Sequence, residues 1–242
     1  MSEWIIPDWP APQRVRACST TRHGGISAAP WDSLNLGTHV GDVEAHVMHN
    51  RHCLAEQLAL PVMPQWLDQI HGQDVARLPA SERLPRADAA ITRESGVVCA
   101  VMTADCLPVL FCSKDGSEVA AAHAGWRGLC NGVLEQTLSQ FHCATKDIHA
   151  WLGPAIGPQA FEVGAEVKTA FMAHDPQAQE AFRPVGNKYF ADIWLLARQR
   201  LLTAGVRSIN VSTRCTYHER EDFFSFRRDG ITGRMATLIW LR

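Results

Sequence analysis

The sequence predicts a single domain in which β-strands and α-helices are mixed, and three observations lead there. Over residues 97–128 three short apolar runs follow one another, bounded by turn residues, as buried strands are. Elsewhere apolar residues recur at helical spacing in four segments. No internal repeat, low-complexity tract or convincing linker divides the 242 residues, a length that one large domain can hold.

In order along the chain, Val15-Arg16-Ala17-Cys18-Ser19-Thr20 follows three prolines and reads as a strand entering a loop. The polar stretch 21–27 surrounds Gly24-Gly25, a pair that marks a turn more often than a phosphate cradle. Residues 33–42 form a second loop, rich in hydrogen-bonding side chains, Asn35 among them. From 43 to 58 the period is helical, with Val47, Leu54 and Leu58 on one face. Residues 64–75 settle into neither period, but Gly72 directly after His71 predicts a turn that exposes the imidazole.

In the central block, two apolar runs are joined at Thr103-Ala104-Asp105-Cys106, and a third, after Lys114-Asp115-Gly116-Ser117, ends at His123. Gly125 and Gly128 flank Trp126-Arg127, which reads as a tight turn into a helix with Val133, Leu134, Leu138 and Phe141 as its stripe. Residues 148–152 form a strand closed by Gly153-Pro154-Ala155-Ile156-Gly157, a stiff loop suited either to walling a site or to an ordinary turn. Residues 163–173 are helical with Val167, Ala170 and Phe171 inward. Asp192 caps the next helix, whose Leu195, Leu196 and Leu202 face the core and which Gly205 ends. A short strand at 209–211 and a final strand at 235–241 complete the pattern.

Composition narrows the function classes. With 46% hydrophobic residues the chain can build a sizeable core, and its net charge of −2 argues against nucleic-acid binding. No run approaches the roughly 20 apolar residues of a membrane span. The start, Met-Ser-Glu-Trp-Ile-Ile-Pro, lacks the basic and apolar regions of a signal peptide, so export is not expected. Eight cysteines without a Cys-x-x-Cys pair then read as reduced thiols, mostly packed in the core. Cys106 fits that reading least, because an acid precedes it and it lies at a strand junction.

Two chemistries compete for Cys106. A catalytic zinc site takes three protein ligands and leaves a fourth position for water or substrate. His71, Cys106 and His123 offer one thiolate and two imidazoles, a set suited to zinc or copper. Their spacings of 35 and 17 residues form no local motif. Alternatively Cys106 is a nucleophile with His123 as its base. A metal would bind the thiolate and suppress its nucleophilicity, so one state excludes the other. A structural metal site or binding protein is a third reading, weakened by the four ligands such sites normally use. His46, His49 and His52 share a helical segment without acid or thiol partners and read as a solvated face. Arg51, beside a loop, and Arg127, at a helix start, are candidate anion holders.

Five motifs in order, Gln69-Ile70-His71-Gly72, Thr103-Ala104-Asp105-Cys106-Leu107-Pro108, His123-Ala124-Gly125-Trp126-Arg127-Gly128, Gly153-Pro154-Ala155-Ile156-Gly157 and Phe224-Ser225-Phe226-Arg227-Arg228-Asp229, resemble the YfiH family. That family is also called the polyphenol-oxidoreductase laccase domain, and its bacterial members include the peptidoglycan editing factor. The resemblance extends from Cys18 to Trp240 and is to the bacterial YfiH branch.

It implies an α+β fold, a four-layer α/β/β/α sandwich related to cysteine-hydrolase-like toxins, occupying 1–242 as one domain. It also implies a metal, zinc usually and copper in some reports, on His71, Cys106 and His123. The activities it brings are phosphorolysis of adenosine, inosine and methylthioadenosine, deamination of adenosine, a disputed laccase activity, and removal of wrongly incorporated L-serine from muropeptide precursors.

On that basis His71, Cys106, His123 and Asp105 are the expected catalytic residues. Asp105 and Asp88 are each suited to proton transfer or to orienting a ligand. Asn35, Arg51, Arg127, Arg227 and Arg228 are the expected substrate holders. The expected partners are a purine nucleoside and phosphate, with neither nucleic acid nor membrane, acting on a cytoplasmic monomer. Multicopper electron transfer needs many more histidine ligands than the one three-ligand set visible here.

Overall fold

The computed structural model describes residues 4–242, so Met1 to Glu3, part of the start in which no signal peptide is expected, lie outside the described residues. In chain order the elements are β1 (Trp4–Ile5), β2 (Val15–Thr20), α1 (Glu44–Gln57), β3 (Val75–Arg77), β4 (Ala89–Thr92) and β5 (Val98–Thr103). Then come β6 (Leu107–Ser113), β7 (Val119–Ala124), α2 (Trp126–Asn131), α3 (Val133–Ser139), β8 (Ile148–Leu152), β9 (Glu162–Val163) and α4 (Ala165–His174). The last are β10 (Phe182–Val185), β11 (Lys188–Ala191), α5 (Ile193–Thr203), β12 (Ser208–Val211), α6 (Phe226–Asp229) and β13 (Met235–Leu241).

Two larger sheets carry the fold. One is antiparallel with order β1-β2-β13-β5, and the other has order β12-β8-β6-β7-β4-β3 with parallel pairs at its two edges. A small antiparallel sheet, β10-β11-β9, completes the set. Strands β4 to β8 are buried along their whole length, which explains why their sequences are continuous apolar runs rather than alternations.

The alternation of side chains across each strand decides what they meet. Cys99, Val101, Ile239 and Leu241 of the first sheet pack against Ala90, Leu110, Ala121 and Trp151 of the second. The opposite side chains of the second sheet, such as Val109, Phe111 and Ala122, pack against Leu134, Leu138, Leu196 and other helix residues. Ala100, Met102 and Leu238 of the first sheet pack against Leu54 of α1 and Leu34, Leu36 and Trp66 of the loops. The result is a mixed α/β single-domain fold of several sheets.

The helices depart from expectation in four places, the first being that Val163, read as the start of a helix, pairs with Tyr189 in β9, so α4 begins at Ala165. Trp126 already begins α2, and Gly132, at φ 104°, separates it from α3; the predicted tight turn before one helix is a helix, a break and a second helix. Phe141 lies beyond α3 yet still reaches the core. Leu202 is 36% exposed, because Leu201 is the residue of that pair that turns inward in α5. Asp192 caps α5 by accepting from Leu195 N at 2.9 Å, as predicted. His49 and His52 are exposed on α1, bonded within the helix to Cys53 and to the Met48 carbonyl. The cysteines are all free, and no helix among the described residues is long and apolar enough to cross a membrane.

Leu110 lies fully buried between the two large sheets. Leu110→Ala is therefore expected to lower stability by about 2–5 kcal/mol, read as a fall in the urea midpoint at unchanged slope.

Candidate metal centre

His71, Cys106 and His123 meet at one end of the sheet pair. A ligand atom from each lies within 4.8 Å of the others. Cys106 Sγ is 3.9 Å from His71 Nε2, and the two imidazoles stand edge to face with centroids 4.9 Å apart. His71 sits in an irregular segment at φ 60°, in the left-handed region that costs most residues about 1–2 kcal/mol. Cys106 follows Asp105, at φ 95°, where the chain passes from β5 in one sheet to β6 in the other. His123 is on β7, opposite Pro108 of β6.

Asp88 ties these pieces together. Its fully buried carboxylate accepts from the N–H groups of Ile70 (3.1 Å), His71 (2.9 Å) and Gly72 (2.6 Å), which holds the left-handed turn. It also accepts the Nδ1–H of His123 at 2.8 Å, while the Asp88 carbonyl accepts the His123 backbone N–H at 2.7 Å. That arrangement orients the His123 ring and leaves Nε2 as the ring atom that meets Cys106. Gly125 supplies the remaining room, since a Cβ there would stand 2.8 Å from His71 Cδ2 and 3.0 Å from Cys106 Sγ.

Electrostatics favour a charged thiolate. Burial alone would raise the Cys106 thiol, but the charge and hydrogen bond of His123, with His71 behind them, bring it down from 9.0 to about 6. Burial likewise opposes protonation of His123, yet the Cys106 thiolate and Asp88 raise it to about 9. For Asp88, burial is outweighed by His123 and the N–H groups of Gly72 and Ile70, and its carboxyl stays below the ordinary range.

The three residues open on a cavity of about 210 Å³, whose wall also includes His39, Gln69, Met102, Phe226 and Arg234. Gln69 is locked to the end of β5, accepting from Met102 N at 2.7 Å and donating to Met102 O at 2.8 Å. Phe226, at the start of α6, is 58% exposed. The guanidinium carbon of Arg234 lies 5.9 Å from the centre of its ring. His39 is held below its ordinary range by burial and by the cations Arg234 and Arg51, against a smaller opposing effect of Asp68.

The donor set fits a metal. One thiolate and two imidazoles are ligands that zinc takes, the Asp88–His123 bond is the usual outer support of such a histidine, and three ligands leave a position towards the cavity.

The other expected site residues are distributed differently. Asp105 is held by donors: Thr216 Oγ1 (2.7 Å), Ser225 Oγ (3.0 Å) and Arg227 N (2.7 Å) all bond its carboxylate. Asn35 is fully buried and bonds Gly37, Asp42 and the Arg234 backbone. The Arg51 guanidinium bonds the Leu36 carbonyl, lies 4.2 Å over the Trp66 ring and lines a separate groove; burial lowers it to about 10. Arg127 is exposed above Trp126. Arg227 Nη1 donates to the Glu162 carbonyl, and Arg228 donates to the carbonyls of Thr216, Tyr217 and Phe223 and pairs with Asp229. Among these four arginines none lines the cavity.

The 153–157 loop does not line it either; it is buried and supports the junction, with Ile156 N donating to Asp105 O at 2.9 Å.

Sequence reasoning missed Arg234, His39, Gln69 and Phe226 as wall residues. Gln69 and Phe226 belong to motifs already quoted, so a signal was present for them. Arg234 and His39 have no local pattern that sets them apart from other loop cations.

The fold and the site define an α/β protein with a His/Cys/His group, at the junction of two sheets, that could hold a metal ion. A family model described as multi-copper polyphenol oxidoreductase laccase matches residues 16–242, and the chain belongs to this family, the YfiH family of the motifs above. Among its relatives, "Purine nucleoside phosphorylase YfiH" of Escherichia coli (strain K12) is 59% identical over 242 residues, covering all of both chains. "Purine nucleoside phosphorylase PA4543" of Pseudomonas aeruginosa is 52% identical over 244 residues, again covering all of both. A crystal structure of a Neisseria meningitidis protein of the DUF152 family, 48% identical, superposes with a TM-score of 0.95 over 99% of each chain.

Two outcomes test the site. Asp88→Asn keeps the shape but weakens acceptance from His123, and it should lower zinc affinity about 10–100-fold in a chelator competition. Because the Cys106 thiol is lowered to about 6, its thiolate persists until the pH falls through that value. Alkylation of metal-free protein by iodoacetamide should then stay fast at pH 7 and drop only below about 6, with Cys106→Ser identifying the reacting thiol.

Proposed function

We propose that this chain is a metal-dependent purine nucleoside phosphorylase with His71, Cys106 and His123 as the metal ligands, zinc being the ion that suits them. The observation that carries the reading is the convergence of these three side chains on one cavity wall, from separate segments of the chain. The full-length relatives named purine nucleoside phosphorylase support the same substrate class. Substrates on this reading are adenosine, inosine and methylthioadenosine, with phosphate as co-substrate, and adenosine deamination is a side reaction of the same centre.

A bound zinc ion supplies Lewis-acid polarisation of an oxygen brought to its open position. The chain's own residues do the rest. Asp88 keeps His123 oriented, Asp105 holds the thiol-bearing junction to α6, and Gln69 fixes the end of β5 beside the cavity. Phe226 offers an exposed aromatic face at the mouth, on which a purine can stack.

The two packed sheets with helices on their outer faces support a four-layer α/β/β/α sandwich spanning 1–242, and kinship with cysteine-hydrolase-like toxins belongs to that reading. So do a cytoplasmic location and a monomeric state. Copper oxidase chemistry of the kind in the family's description is disfavoured, because one His/Cys group among the described residues is grouped to hold a metal.

Protein of defined metal content, incubated with adenosine and phosphate, should yield free base and ribose 1-phosphate. Without phosphate, inosine should be the product. Cys106→Ala should lose both stoichiometric zinc and turnover; tight zinc retained by that variant, or no product from the metal-loaded chain, would sink the assignment.

A further inference from the structure

The protein does not use all the polar groups on this cavity wall. Among the described residues, the His39 imidazole has no hydrogen-bond or ion-pair partner. Arg234 bonds only through Nη1, to the carbonyls of Thr232 (3.2 Å) and Gly233 (3.0 Å), and has no carboxylate in an ion pair with it. Its Nε and Nη2 are left over, the edge of a guanidinium that meets an oxyanion with two parallel hydrogen bonds. No other arginine lines the cavity.

The two side chains flank one glycine. A Cβ on Gly37 would stand 2.8 Å from Arg234 Cγ and 3.4 Å from His39 Cε1. Asn35 sets the spacing from beneath. Its Oδ1 accepts from Gly37 N and Arg234 N, each at 2.9 Å, and its Nδ2 donates to Gly37 O at 3.2 Å and Asp42 Oδ2 at 2.9 Å. One buried amide thus joins the loop that bears His39 to the residue immediately before β13.

We propose that His39 and Arg234 form the inorganic phosphate subsite of this cavity, with Asn35 as the positioning residue that holds the pair together. The use of the phosphate rests on the phosphorolysis reading; its binding does not. A phosphate oxygen placed there forms the bond to C1′ of the ribose as the bond from C1′ to N9 breaks. The electron pair of that bond leaves with the purine, which takes the proton that hydrogen phosphate gives up, so charge and atoms balance. The apolar wall of Met102, Ala104 and Phe226 is left for the nucleoside.

The test is calorimetric titration of zinc-loaded protein with inorganic phosphate, beside steady-state kinetics with phosphate and nucleoside varied in turn. Arg234→Gln should weaken phosphate binding by at least about tenfold, with Arg234→Lys between it and the parent protein. His39→Asn, at unchanged zinc content and melting temperature, and Asn35→Ala, at unchanged zinc content but a lower melting temperature because its buried hydrogen bonds are lost, should each raise the KM for phosphate more than the KM for the nucleoside. A general loss of packing would not give that split. Unchanged phosphate affinity in Arg234→Gln and Arg234→Lys would overturn the subsite, as would equal losses for phosphate and nucleoside. If the parent protein binds phosphate through these residues yet cleaves no nucleoside, the subsite stands and the phosphorolysis reading fails.

Discussion

The site depends on one carboxylate. Asp88, just ahead of β4 and fully buried, accepts three successive backbone N–H groups from the His71 turn and the Nδ1–H of His123. A buried carboxylate without donors would be costly; here four donors satisfy it, and in doing so they fix two of the three candidate metal ligands relative to each other. The left-handed turn at His71 is affordable only because its amides have that acceptor. Burial and function therefore rest on the same group.

The position of the third candidate ligand follows from the way the two sheets are connected. Strands β5 and β6 are consecutive in sequence but belong to different sheets, so the chain must cross the interface between them within residues 104–106. Asp105 takes a positive φ at the crossing, and Thr216, Ser225 and the Arg227 amide hold it there. Cys106 is thereby delivered to the end of the interface, beside the strand that carries His123. Gly125 is a further requirement, since any side chain there would collide with His71 and Cys106.

Charged residues divide into two populations that look alike in sequence. Arg228 and Arg51 are structural: their guanidinium groups bond main-chain carbonyls and lie largely buried. Arg234 also bonds main-chain carbonyls, those of Thr232 and Gly233, yet keeps its Nε and Nη2 without a protein hydrogen bond at the cavity. The difference lies in which carbonyls the folded chain brings within reach.

By itself the sequence determined the secondary-structure elements whose period or punctuation was strong: β2, β8, β13, α1, and α5 with its Asp192 cap. It also identified the junction at Cys106 and, through its five motifs, the family and the three candidate ligands. These are local signals, because side-chain period and capping act within a few residues. Tertiary structure decided that Gly132 breaks a helix, that Leu201 and not Leu202 turns inward, and that Asp88 rather than Asp105 bonds His123. It also decided that Arg234 and His39, not the arginines of the recognisable motifs, stand on the cavity wall. Those outcomes depend on contacts between residues far apart in the chain, 35 positions for Asp88 and His123 and 199 for Asn35 and Arg234, and no periodicity encodes them.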